Sequence, residues 1–299
     1  MFNTISGRLK AKKVFIFFVS IVVLFYLLGP IYWVMISGFQ REVNLQDRPP
    51  HFMLNPEIFT LNHYSFLFTG VVPEDSSVML QSMYTMSGTL VYPSIINSLI
   101  IASLVTLINV LLGFPAGHVF AWLKFKGKNA SLLFLLATRL LPSISIVIPV
   151  YMLFLRLNLI DKKLGLVLLY SAITLPFTIW ILQAYFKNIP VEYEEAARMD
   201  GCGYFKTLLK VVLPVSRSGI IAAAIFTFMT SYGEFVFATI LTQTLKSRTQ
   251  TAVLAALTQG LSSSRGMIAA SATLTIIPPI LIATIFRKHI IEGLTTRFA

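Results

Sequence analysis

Two groups of residues in this sequence could do chemistry. The first is the stretch Pro190–Pro214, PVEYEEAARMDGCGYFKTLLKVVLP, which places Glu192, Glu194, Glu195 and Asp200 beside Arg198, Lys206 and Lys210 in a chain otherwise poor in charge. The second is a scatter of polar residues inside apolar segments: Glu234, Arg139, His118 and Gln183. Covalent chemistry is poorly served by either. An embedded enzyme needs convergent His, Asp or Glu at depth, and one Glu with one His is too little. A phosphate-binding GxxxxGK[ST] loop is missing. The single cysteine, Cys202, forbids an internal disulfide and a CxxC metal site.

The local pattern of Pro190–Pro214 is a helix, a stop and a second helix. Pro190 suits a helix start, since its missing N–H would be unpaired there anyway. Glu194 precedes Arg198 by four positions, the favourable order for a helical ion pair. Gly201 can take the left-handed conformation that closes a helix. Phe205, Leu208, Leu209 and Val212 then form one apolar stripe, with Lys206 and Lys210 off it. Two short helices at an angle, apolar on one side and charged on the other, suit a knob that docks a partner.

The elements that must position this knob cross a membrane. Of 299 residues, 56% are hydrophobic and 12% charged, about half the usual globular share. Mean hydropathy is +0.78. A net charge of +12 could suggest nucleic acid, but the cations sit in short loops beside apolar segments and form no stripe. Six segments approach the ~20 residues a bilayer requires: Val14–Phe39, Ile95–Trp122, Ser131–Leu155, Leu164–Phe186, Ser218–Leu241 and Met267–Phe286. Helices are expected, because lipid offers backbone groups no partners. Pro115, Pro142, Pro149, Pro176 and Pro278–Pro279 should kink several of them. The basic start, MFNTISGRLKAKK, lacks a small-residue cleavage site after a short core and reads as leading into an uncleaved first helix.

Loop charge sets an expected orientation. Arg8, Lys10, Lys12, Lys13, Lys124, Lys126, Lys128, Lys187, Arg198, Lys206, Lys210, Arg217, Arg287, Lys288 and Arg297 fall on one side, fifteen in all. Arg41, Arg48, Lys162, Lys163, Lys246, Arg248 and Arg265 fall on the other. The positive-inside rule makes the first side cytoplasmic, together with both termini and Pro190–Pro214. The expected division is a cytoplasmic tail over 1–13, a first helix over 14–39 and an extracytoplasmic loop over 40–93. A five-helix core over 94–287, including the loop 190–214, and a cytoplasmic tail over 288–299 complete it. The loop 40–93 reads as turns with one helix, serving either as a passive connector or as a cap for a docking protein.

Glu195-Ala196-Ala197, Asp200-Gly201 and Leu213-Pro214 together resemble the EAA loop of bacterial ABC importer permeases. Further stretches are similar to the carbohydrate-type branch and its maltose-type second permease. They include Pro56–Tyr64, Asn97-Ser98, Phe125–Lys128, Ile148–Tyr151, Leu175–Phe177, Tyr232–Phe235, Thr251–Gly260 and Gly293-Leu294-Thr295. The sequence departs from that branch at Cys202, where Ala is usual, and at Tyr232-Gly233, where Trp-Asn is usual. Its LTTRFA ending also differs from the usual glycine-rich one. The resemblance implies an all-α membrane protein with six transmembrane helices, in the type I ABC importer permease fold with cytoplasmic EAA coupling helices. It implies residence in the bacterial inner membrane, and a sugar or oligosaccharide delivered by a solute-binding protein. A second permease and two ATPase subunits that hold ATP and Mg would be partners, with no cofactor or metal in this chain. Glu194, Glu195, Ala196, Ala197, Asp200, Gly201, Leu213 and Pro214 would couple to the ATPase. Glu234, Tyr232 and Arg139 would belong to the translocation path. From the residues alone, Glu234 fits equally a hydrogen bond between helices or a wall of the path. Arg139 fits pairing inside the bundle, His118 a satisfied interface histidine, and Asn97 and Asn109 interhelical contacts. A non-sugar solute or a secondary transporter are the alternatives, the latter disfavoured because no internal repeat is evident.

Overall fold

The computed structural model describes residues 2–72, 88–259 and 264–289. Residues 73–87 of the loop 40–93, Gly260 and the tail beyond residue 289, on which expectations also fall, lie outside these. Among the described residues the chain is helical apart from a single β-bridge, Gln40 with Phe59. Four helices are long and apolar enough to cross a membrane: Lys12–Ser37 of α1 (Phe2–Ser37), α3 (Val91–Trp122), α6 (Lys163–Phe186) and α13 (Arg265–Ile285). Two bent pairs raise the number to six if each counts as one span.

The first unit comprises the residues up to Thr89 together with Leu257–Leu274. After α1 the chain pairs briefly with itself, Arg41 N–H to Ile58 carbonyl at 2.9 Å and Thr60 N–H to Phe39 carbonyl at 2.8 Å. The short helix α2 (Asn62–Thr69) buries His63, Phe66 and Leu67. His63 Nε2 lies 3.0 Å from the Gln40 carbonyl. Burial pushes the His63 pKa down, opposed by that carbonyl and the Glu42 charge. The buried Glu42 carboxylate caps α13, accepting from Ser264 Oγ at 2.5 Å and from the N–H groups of Arg265 and Gly266 at 3.0 Å. An anionic group there meets unpaired N–H groups and the positive end of the helix dipole. A Cβ at Gly266 would lie 2.2 Å from His63 Nε2, so a larger residue there would displace that buried ring.

The second unit comprises Leu90–Ala256 and the residues from Thr275. Its centre is α3 packed on α6, with α10 (Arg217–Tyr232) against both. Small residues let the backbones approach, as is usual between membrane helices. A Cβ on Gly117 would sit 2.8 Å from Leu182 Cβ, and one on Gly219 would sit 2.3 Å from the Tyr185 ring. Polar side chains bond across the same faces: Asn109 Nδ2 to Thr174 Oγ1 at 2.6 Å, and Thr178 with Thr227 at 2.8 Å between hydroxyls.

Two expected spans are broken. The segment read as Ser131–Leu155 is α4 (Lys128–Ala137), a 3-10 turn over Thr138–Leu140 and α5 (Ser143–Arg156), bent by 92°. Pro142 is the cause: it pushes Leu141 to φ −70°, ψ 120°, out of the helical region. Pro115, Pro149, Pro176 and Pro278–Pro279 instead lie inside continuous helices. The segment read as Ser218–Leu241 stops at Tyr232, and a new helix, α11 (Val236–Leu241), follows.

Between α5 and α6 the chain turns through Asn158 and Asp161, both at positive φ, a region that Asn and Asp tolerate better than most residues. Asp161 fastens the loop after α11. Its carboxylate accepts from Gln243 and Thr244 N–H, both at 2.9 Å, from Thr244 Oγ1 at 2.6 Å and from Ser247 Oγ. Burial alone would raise its pKa, but the hydrogen bonds from Ser247, Thr244 and Gln243 outweigh that and lower it from 3.8 to about 2. A depressed carboxyl contributes stability fully present above pH 3.8 and lost as pH falls towards 2. Hydrogen exchange at Gln243 and Thr244, taken relative to the intrinsic amide rate at each pH, should therefore accelerate on acidification through that window. In Asp161→Ala it should already be fast at neutral pH.

Candidate functional site

Pro190–Pro214 folds as α7 (Glu192–Met199), a turn, α8 (Tyr204–Thr207), a π-helical turn over Leu208–Val212 and α9 (Leu213–Val215). Helix begins at Glu192, two residues later than Pro190 suggests, with three acids in its first turn where the dipole favours them. Gly201 has φ +74°, and the turn closes with its N–H on the Arg198 carbonyl and Cys202 N–H on the Ala197 carbonyl, both at 3.0 Å. This pair of bonds is the Schellman ending, with Gly201 as its left-handed residue. Nothing lies within 4 Å of where a Gly201 Cβ would be, so backbone conformation alone demands glycine.

The segment has two faces, and they divide the expected residues. The apolar stripe splits: Leu208 and Val212 are 4% and 2% exposed and pack with Phe114, Leu182, Phe186 and Ile189. Phe205 is 75% exposed and Leu209 also points outward. The π-helical turn accounts for the split, because it breaks the 3.6-residue spacing on which the stripe was read. Glu195, Ala196, Asp200, Gly201, Leu213 and Pro214 lie on the outer face with Met199, which is 88% exposed. Glu194 and Ala197 are buried and face the bundle rather than the outer side. Glu194 pairs with Arg198 through one oxygen, and its other oxygen lies 3.3 Å from His118 Nε2 on α3. His118 Nδ1 lies 3.0 Å from the Tyr204 hydroxyl. Sequence reasoning placed His118 at an interface but did not connect it to Glu194 or Tyr204.

The polar residues at depth also have definite partners. Glu234 sits in the break between α10 and α11, correcting the expectation that it lies mid-helix. Its carboxylate accepts from Phe237 and Ala238 N–H at 3.0 Å and from the Tyr170 hydroxyl at 2.6 Å. Its carbonyl accepts from Thr251 Oγ1 at 2.6 Å. Gly233 cannot extend the preceding helix well, and the Glu234 side chain supplies the acceptors that start the next. Tyr232 is buried, stacked on Phe228 with ring centroids 5.8 Å apart, its hydroxyl 3.3 Å from the Thr275 carbonyl. Arg139 stands at the 92° bend, half-buried, with Nη1 3.3 Å from the Ile173 carbonyl. No carboxylate pairs with it among the described residues. No group of three or more His, Cys, Asp or Glu able to hold a metal occurs among the described residues.

These features can be set beside known proteins. Residues 109–295 match the family described as binding-protein-dependent transport system inner membrane component. The trehalose/maltose transport system permease protein MalG of Thermococcus litoralis is 33% identical over 77% of this chain and 84% of its own length. The trehalose transport system permease protein SugB of Mycobacterium tuberculosis is 30% identical over 91% of this chain and 92% of its own. A chain of a solved bacterial ABC transporter involved in the import of the acidic polysaccharide alginate shares the fold, with a TM-score of 0.64 at 17% identity over 93% of this chain and 97% of that one. The chain therefore belongs to the binding-protein-dependent inner membrane components, the permease subunits of ABC importers, in which ATP hydrolysis is carried out by separate ATPase subunits.

Proposed function

We propose that this chain is one half of the membrane pathway of an importer for a sugar or oligosaccharide, which a solute-binding protein delivers. A second permease completes the pathway and two ATPase subunits drive it. The names of the two relatives, permeases of a trehalose/maltose and of a trehalose transport system, support the substrate class. The observation that carries the coupling role is the two-faced Pro190–Pro214 segment. Its inner face is fastened to the bundle, while Met199, Phe205 and Leu209 stand exposed beside Glu195 and Asp200. Apolar side chains ringed by charge, presented on short rigid helices, suit a groove on a partner protein.

In this reading Glu195, Ala196, Asp200, Gly201, Leu213 and Pro214 meet the ATPase, and Glu194 and Ala197 hold the segment in place. ATP closes the ATPase pair, the segment moves with it, and the bundle alternates between inward and outward openings. Glu234 and Tyr232 shape the wall of the path through the broken span. Arg139, a cation at depth without an acid partner among the described residues, faces water or the second permease. In this reading the segment and both termini lie in the cytoplasm and the loop 40–93 outside, which the cation distribution supports.

Three outcomes test this. On a Cys202→Ser background, a membrane-impermeant thiol reagent applied from outside should label Val71→Cys and spare Leu209→Cys; the reverse would overturn the topology. Gly201→Val forces a β-branched residue into positive φ, a strain of roughly 1–2 kcal/mol, too small to prevent insertion. The variant should reach the membrane normally while ATPase co-purification and uptake collapse, with Gly201→Ala milder. Glu234→Leu removes a helix cap worth ~1 kcal/mol and leaves the Tyr170 hydroxyl without its acceptor. It should assemble at the native level yet lose transport, measured with whichever labelled sugar of a maltose and trehalose panel the native complex takes up.

A further inference from the structure

We propose that His118 is a positioning residue that locks Pro190–Pro214 to α3, so that the segment and α3 move as one body. The inference rests on the reading of that segment as the ATPase-docking element. His118 lies in the last turns of α3 and is fully buried. Its two ring nitrogens reach the two arms of the segment, Glu194 on α7 and Tyr204 on α8, which flank the Gly201 turn.

The chemistry assigns each proton. An ionised Glu194 only accepts, so Nε2 carries the hydrogen and donates to Oε2, leaving Nδ1 to accept from the Tyr204 hydroxyl. One neutral tautomer thus satisfies both arms. Arg198 occupies the other Glu194 oxygen, so the buried carboxylate is paired on both sides. No other natural side chain combines a donor and an acceptor at this separation on one rigid ring.

The remaining contacts of the segment with the bundle cannot fix its register. Leu208 and Val212 rest in an apolar cluster with Phe186, Ile189 and Ala223. Apolar burial is non-directional and allows sliding, whereas hydrogen bonds weaken steeply with angle and so hold orientation. The body that His118 grips is itself stiff. Its ring packs edge-on against Trp122 and Phe186, with centroids 4.9 and 6.1 Å away. Trp122 Nε1 donates to the Phe186 carbonyl at 3.0 Å, joining the ends of α3 and α6. Gly117 holds these helices too close for a Cβ to fit. A displacement of the segment is therefore delivered to α3 and α6 together.

The test measures the distance between nitroxide labels at Glu192→Cys in α7 and Leu111→Cys in α3, on a Cys202→Ser background. The full-length chain is reconstituted with the subunits that co-purify with it. With His118 intact, one narrow distance peak should persist in the nucleotide-free state and after trapping with ATP and vanadate. His118→Phe keeps the aromatic packing and loses both hydrogen bonds; it should lose the narrow peak in both states while the ATPase still co-purifies. Tyr204→Phe releases one arm only and should broaden the peak less. An unchanged narrow peak in His118→Phe would overturn the proposal, since ring packing alone would then hold the segment. A native peak that already shifts between the two states would overturn it as well. Failure of the native chain to retain any ATPase would instead remove the docking reading, while the nucleotide-free peaks would still decide the role of His118.

Discussion

Everything in this structure depends on one constraint: a polar group inside an apolar bundle must find its partner within the protein. The chain interrupts its helices despite that constraint, and two of the interruptions bring their own remedy. At Gly233 the helix stops, and the Glu234 carboxylate at once takes up the first amides of α11. The Tyr170 hydroxyl occupies the same carboxylate from α6, so the break also ties two elements together. At the Gly201 turn the last carbonyls of α7 are closed by the backbone of the turn itself.

The same constraint explains what was legible in the sequence. The long apolar runs were readable as membrane helices because length and hydropathy suffice; α3, α6 and α13 begin and end within a few residues of the expected limits. The Gly201 turn was readable because glycine after a helix with an ion-paired face is a local signal. The breaks were less so. Five proline sites look alike in sequence, yet only Pro142 ends a helix, while Pro115, Pro149 and Pro176 are carried within continuous ones. Glu234 looked like an acid in mid-helix because nothing in its neighbourhood reveals that its own carboxylate starts the next helix.

The buried network of Glu194, His118 and Tyr204 was hidden for a different reason. Its members are 76 and 86 residues apart from His118. The Glu194–Arg198 spacing pointed to a surface pair, and the second, buried partner of Glu194 lies on another element. A histidine near the end of an apolar run opposite an acid-rich loop is the one signal that could have suggested it. The outward stripe was misread through regular spacing, which the π-helical turn does not obey.

The cap that Glu42 places on α13 has a consequence for how the chain is made. Ser264, Arg265 and Gly266, which supply its donors, follow Glu42 by more than two hundred residues. During synthesis Glu42 must stay hydrated until residues 264–266 have emerged, because a lone carboxylate is costly to bury. The first unit is completed only when α13 appears, after the intervening helices have been made. A truncated or stalled chain leaves Glu42 and His63 open, and such unfinished surfaces are what cellular quality control recognises.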